Sequence, residues 1–157
     1  MILKIFKIKD VNTVLNLYPD SDQESLEKIR NNVSNDLKEA GEGRRIVCGA
    51  EVDGKTVGTA QLVFKFREGK KYYADGSDVA HVTHVRIAKD FRGEGFGREL
   101  MEFIENEAEK KEFSEITLGV DERNEKAFRF YKEIGYRKFK EEKGDEGEII
   151  ICMKKHL

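Results

Sequence analysis

Apolar residues recur along this chain with two periods, two in some segments and between three and four in others, and most changes of period fall at Gly, Pro or Asn. Met1 to Ile8 alternates apolar and basic residues and reads as a first strand. Val11, Val14, Leu15 and Tyr18 then follow helical spacing until Pro19 stops the pattern. Ser21 and Glu24 have the spacing of a capping box, Leu26, Ile29, Val33 and Leu37 carry a second helix, and Gly41 ends it. Arg45 to Val52 reads as a strand, Asp53-Gly54 as a tight hairpin turn, and Lys55 to Arg67 as its partner. Glu68 to Ser77 forms a loop before a fourth strand, Val79 to Ala88.

In the second half, Phe96, Leu100, Phe103, Ile104 and Ala108 mark one face of a helix from Gly95 to Lys111. Glu115 to Val120 is a fifth strand, and Asn124 to Ile134 a helix closed by Gly135. Tyr136 to Glu141 with Glu148 to Lys154 makes a final antiparallel pair. The order βααβββαβαββ mixes hairpins with crossover helices. It predicts an α+β (mixed α/β) fold: a mostly antiparallel sheet of six to seven strands with helices on both faces.

Composition narrows the class. At 157 residues the chain fits a single domain, 1–157, large enough to bury a core without staples. Charged residues make up 38% against about 25% in average soluble proteins, and the net charge is only −2, with Lys and Glu interspersed. That balance gives no reason to expect nucleic-acid binding. Cys48 and Cys152 lack metal or redox spacing and read as buried thiols, and no His/Cys cluster suggests a metal. No segment reaches the ~20 apolar residues of a membrane span, and the N-terminus lacks the pattern of a leader, so the expected location is cytoplasmic, with no membrane partner.

The densest chemical signal is Arg92-Gly93-Glu94-Gly95-Phe96-Gly97, a glycine-rich turn between a strand and a long helix. Glycines let the backbone approach a ligand closely, and the first amides of a helix are unpaired donors at a positive dipole end. A pyrophosphate suits such a cradle, while a turn that binds nothing is the plain alternative. A dinucleotide fingerprint needs G-x-G-x-x-G and a P-loop needs G-K-[ST], and neither is present.

With this element order, the chain resembles the GNAT superfamily of acetyl-CoA-dependent N-acetyltransferases. Its R/Q-x-x-G-x-G/A signature is met by Arg92, Gly95 and Gly97 after the alternating Val85-Arg86-Ile87. Its downstream pattern of Asn, Tyr and Gly-Tyr is met by Asn124, Tyr131, Gly135 and Tyr136. The resemblance implies transfer of an acetyl group from acetyl-CoA to a primary amine by direct attack in a ternary complex. It implies that the amides of Gly93, Glu94, Gly95, Phe96, Gly97 and Arg98 hold the CoA pyrophosphate, and that the backbone of Val85, Arg86 and Ile87 bonds the pantetheine arm. An amide near Ile87 would polarise the thioester carbonyl. Asn124 would contact CoA as well as cap its helix, and Tyr131 would protonate the departing thiolate. Packing beside Phe128 and Ile134 is the competing reading of Tyr131.

For the base, the resemblance implies two places: the strand-five position at which some relatives carry Glu is Gly119 here, and the fourth-strand position eleven residues before the signature Arg, a Glu in many histone-type relatives, is His81, whose imidazole has an unperturbed pKa near ~6.5. Period-two alternation puts His84 on the opposite face unless a bulge resets the register. A water chain is the alternative base. Arg86 is a candidate contact for an acidic acceptor, and Asp20, Asp22 and Glu24 for a cationic one. A non-catalytic acyl-CoA sensor or scaffold is the competing function, and the final hairpin is a candidate homodimer edge.

Overall fold

In the computed structural model, which describes residues 1–66, 70 and 72–157, the elements run β1 (Lys4–Lys7), α1 (Val11–Leu15), α2 (Gln23–Gly41), β2 (Arg45–Val52), β3 (Lys55–Val63), β4 (Val79–Ile87), α3 (Phe96–Lys110), β5 (Glu115–Asp121), α4 (Glu125–Glu133), β6 (Arg137–Lys143) and β7 (Ile149–His156). The strands form one seven-stranded sheet in the order β1-β2-β3-β4-β5-β7-β6. The β4–β5 pair is parallel, while β1–β2, β2–β3, β5–β7 and β6–β7 are antiparallel. The mostly antiparallel α+β arrangement is therefore the one the sequence predicts. Arg67, with which the expected third strand ends, and Glu68 and Gly69 of the expected loop lie outside the described residues. Among the described residues no helix is long and apolar enough to cross a membrane.

The chain divides into two compact units, Met1–Val63 with His84–Ile104, and Phe64–Thr83 with Glu105–Leu157. In the first, Ile8, Val14, Val33 and Val47 form a buried cluster flanked by Phe6, Val11, Tyr18, Ile29, Leu37 and Ala40. Each such side chain contributes about 1.5–3 kcal/mol by leaving water. Ile29, Val33, Leu37 and Ala40 are the helical stripe read from the sequence. The cap of α2 is Asp22, whose carboxylate accepts from the Ser25 amide at 2.7 Å, rather than Ser21. Asp caps as well as Ser, and the one-residue shift leaves Glu24 in the first turn, where it favours the helix dipole. At the β2–β3 hairpin, Asp53 and Gly54 both have positive φ (50° and 80°), the type I′ geometry that Asp-Gly favours.

In the second unit, β7 lies between β5 and β6, with register from Glu115↔His156 to Asp121↔Ile150 on one side and a bulge between Lys138 and Lys140 on the other. Ile116, Leu118, Cys152 and Met153 are buried there. Glu105 is 9% exposed, and its carboxylate accepts from Tyr136 Oη and from Lys155 Nζ, both at 2.9 Å. Burial and the Glu105 charge push the Tyr136 phenol pKa upward, so it remains a donor. Glu105→Ala strands both donors, and the Lys155 side chain is 28% exposed and thus partly rehydrated. The expected loss is about 2 kcal/mol, read as a lower urea midpoint with an unchanged slope.

Candidate functional site

The turn after β4 is shaped by backbone groups. The Ala88 amide donates to the Val57 carbonyl on β3 at 2.7 Å, and strand alternation then turns the N–H groups of Val85 and Ile87 away from β3. A short 3₁₀ turn, Lys89–Phe91, follows, and Arg92 Nε donates to the Ile87 carbonyl at 2.8 Å, folding the turn back on the strand end. Gly93 and Gly95 have φ of +81° and +83°, and a Cβ at either would meet no atom within 4 Å. Glycine is thus selected there by backbone conformation, and the space beside it is open. Phe96, buried and 6.5 Å from the Phe91 ring, pins the start of α3. The Glu99 amide bonds the Gly95 carbonyl at 3.2 Å, so the amides of Phe96, Gly97 and Arg98 precede the first intrahelical bond. Unpaired donors at the helix dipole's positive end, beside open space, fit a diphosphate. Glu94 and Arg98 are exposed. The Arg86 side chain is turned elsewhere: Nε donates to the Leu17 carbonyl at 3.3 Å and the guanidinium lies 4.2 Å from the Tyr18 ring centroid.

Within the same unit, Arg45 bonds Asp36 at 3.2 Å, Glu39 at 2.9 Å and Gln61 at 2.8 Å, and Gln61 Nε2 donates to Asp36 at 2.9 Å. His84, on β4, has φ +54° and is exposed. Surrounding protein still strips part of its hydration, and this lowers its imidazole pKa from 6.5; Asp36 acts to raise it and Arg45 to lower it.

The other candidates belong to the second unit. His81 is buried, with Nδ1 3.0 Å from Thr117 Oγ1. The Thr117 hydroxyl spends its proton on the Tyr73 carbonyl at 2.6 Å, so the His81 Nδ1–H is the donor in that contact. Tyr73 and Phe66 flank that ring at 4.4 and 5.2 Å. Asn124 Oδ1 accepts from the Ala127 amide at 3.1 Å and caps α4. Tyr131 is half-buried, edge-on to Tyr136 at 5.9 Å, and desolvation pushes its phenol to about 12. Gly119 is exposed, and a Cβ there would lie 3.5 Å from Tyr73 Oη.

The Acetyltransferase (GNAT) family matches residues 11–136. The chain belongs to this family. A curated relative, an uncharacterized N-acetyltransferase of Lactobacillus delbrueckii subsp. lactis, is 29% identical over 110 residues, 68% of this chain and 62% of the relative. The chain thus spans under two thirds of that relative's length. A crystal structure from Pyrococcus horikoshii OT3 covers 99% of both chains at 25% identity with a TM-score of 0.78. The PaiA N-acetyltransferase of Thermoplasma acidophilum, solved in complex with coenzyme A, covers 100% of both chains at 19% identity with a TM-score of 0.75, a likeness of fold.

In this GNAT chain the first unit brings Val85 to Ile87 and the turn from Arg92 to Arg98 together, and the second unit holds His81, Asn124 and Tyr131. Sequence reading missed a cluster in the second unit. Tyr73 Oη and Tyr72 Oη donate to the two oxygens of Glu142 at 2.7 and 2.5 Å, and Tyr73 Oη lies 2.9 Å from Cys152 Sγ. Partners about seventy residues apart leave no periodic trace. Burial raises the Glu142 pKa, and the two phenol donors with Lys70 and Lys140 outweigh it, so the net shift is downward. A lowered folded-state pKa stabilises above the unfolded value and is lost as pH falls through the folded one. Wild type should therefore lose stability between pH ~5 and ~3 more steeply than Glu142→Gln, in urea midpoints taken at successive pH values.

Proposed function

We propose that this chain transfers an acetyl group from acetyl-CoA to a primary amine. The observation that carries the reading is the turn from Gly93 to Arg98, where left-handed glycines open space beside unpaired helix-start amides. Family membership and the coenzyme A bound by the Thermoplasma relative support CoA as the guest. Acetyl-CoA supplies an activated acyl group on a thiol leaving group.

In this reading the amides of Gly93 to Arg98 take the pyrophosphate, with Arg92 bracing the turn against Ile87. The N–H groups of Val85 and Ile87, turned away from β3, bond the pantetheine arm as an added strand, and the Ile87 amide donates to the thioester carbonyl as negative charge develops on it. Tyr131 has no hydrogen-bond partner for its hydroxyl among the described residues and keeps its proton at neutral pH because burial holds it near about 12. Full proton transfer to a thiolate with pKa near ~8.5 would be uphill by on the order of 5 kcal/mol. Its role is then to donate a hydrogen bond to sulfur as charge builds there, with the proton following as the bond to carbon breaks. Asn124 holds α4, and so Tyr131, by its cap.

The exposed Gly119, which leaves no carboxylate at that point of β5, favours a second reading, a module that binds acyl-CoA without turnover. A thiol-release assay with acetyl-CoA and a panel of amino acids, polyamines, lysine peptides and aminoglycosides separates the two. Thiol release matched by acetylated amine is expected. CoA binding with no release from any amine supports the second reading, and no CoA binding overturns both. Tyr131→Phe should lower kcat by roughly 10²-fold with little change in CoA affinity. Gly95→Ala forces a side chain into left-handed backbone at about 1 kcal/mol in stability, and should weaken CoA binding at least ~10-fold in calorimetry.

A further inference from the structure

We propose that the imidazole of His84, rather than that of His81, takes the proton from the acceptor amine, an inference that rests on the acetyl-transfer reading. The backbone singles His84 out. It has φ +54° inside β4, left-handed backbone that is uncommon for residues other than Gly although His adopts it more readily than most, and such a conformation within a strand persists at functional positions when the surroundings fix it. The break also ends the strict alternation of the strand. Ala80, His81 and Val82 are buried, whereas His84 is exposed and leads directly into Val85 to Ile87, the run assigned to the pantetheine arm. Base and acyl donor would then be carried by consecutive residues of one strand in one unit.

His81 is placed differently. The residue is 7% exposed, and its ring packs against Tyr73 and Phe66 and gives Nδ1–H to Thr117, which reads as a fixture of the core. The charged groups acting on His84 are Asp36 on α2 and Arg45 on β2. Asp36 and Arg45 are paired to each other at 3.2 Å, and Glu39 on α2 pairs with Arg45 at 2.9 Å, so the Asp36 charge that acts on His84 is itself paired. Partial desolvation keeps the ring below 6.5, neutral and able to accept at pH 7. The protons balance. An alkylammonium loses two in becoming an amide: His84 accepts one and releases it to solvent, and the other ends on sulfur. The nitrogen lone pair forms the N–C bond, and the C–S electron pair leaves with the thiol.

The variant to compare with wild type is His84→Asn, because Asn tolerates left-handed φ and keeps the backbone. His84→Gly serves if it fails to fold. The measurements are the pH dependence of kcat/KM, the NMR titration of the His84 ring, and CoA affinity by calorimetry. The expected result is an acidic limb in wild type whose apparent pKa equals that of His84. In His84→Asn that limb is lost and kcat/KM at pH 7 falls about 10²-fold or more, at unchanged CoA affinity. His81→Asn should lower the melting temperature and retain the limb. An acidic limb that survives in His84→Asn, or moves in His81→Asn instead, overturns the assignment while leaving acetyl transfer standing. Wild type that binds CoA and acetylates no amine overturns both.

Discussion

β4 changes backbone conformation at His84, and what the strand offers before and after that residue depends on the change. Up to His81 it is an ordinary core strand, paired in parallel with β5 from Val79↔Glu115 to His81↔Thr117 and fixed by the Thr117 hydroxyl. After the left-handed residue, the Ala88 amide returns to β3, and alternation aims Val85 and Ile87 the other way. Backbone donors in a sheet are ordinarily consumed by a neighbouring strand. Here alternation turns them away from β3, beside a turn whose amides at Phe96, Gly97 and Arg98 also lack acceptors among the described residues.

That turn works through main chain more than side chain. Arg92 is tied to the Ile87 carbonyl and Phe96 is buried, so the two conspicuous side chains of the signature brace it. The glycines supply conformation and room. A phosphate held by oriented amides would need no lysine, and the side chains at 94 and 98 are exposed.

Much of this was legible in the chain itself, for identifiable reasons. Asp53-Gly54 fixes a type I′ turn locally, Gly135 with φ +105° ends α4, and the stripe of Ile29, Val33 and Leu37 gives α2 its buried face. The element order and the register from Val85 to Gly97 to Tyr131 then pointed to the family. Polar pairs between different elements were not legible. Glu142 with Tyr72 and Tyr73, Arg45 with Asp36 and Glu39, and Glu105 with Tyr136 join segments whose sequences carry no common period. Nor could alternation foresee the left-handed φ of His84, since it assumes an unbroken strand. Arg86, read as a candidate contact for an acidic acceptor, has its side chain engaged by Leu17 and Tyr18, partners that lie far off in the chain.

The central claim is that backbone amides from Gly93 to Arg98 recognise the pyrophosphate of CoA. Its most direct measurement compares the affinity of the full chain for CoA and for pantetheine, which shares the arm and thiol but lacks the diphosphate and nucleotide, across a series of salt concentrations. Recognition at the turn predicts CoA binding at least ~10²-fold tighter than pantetheine, with affinity that weakens as salt rises. Equal affinity for the two, indifferent to salt, would contradict it.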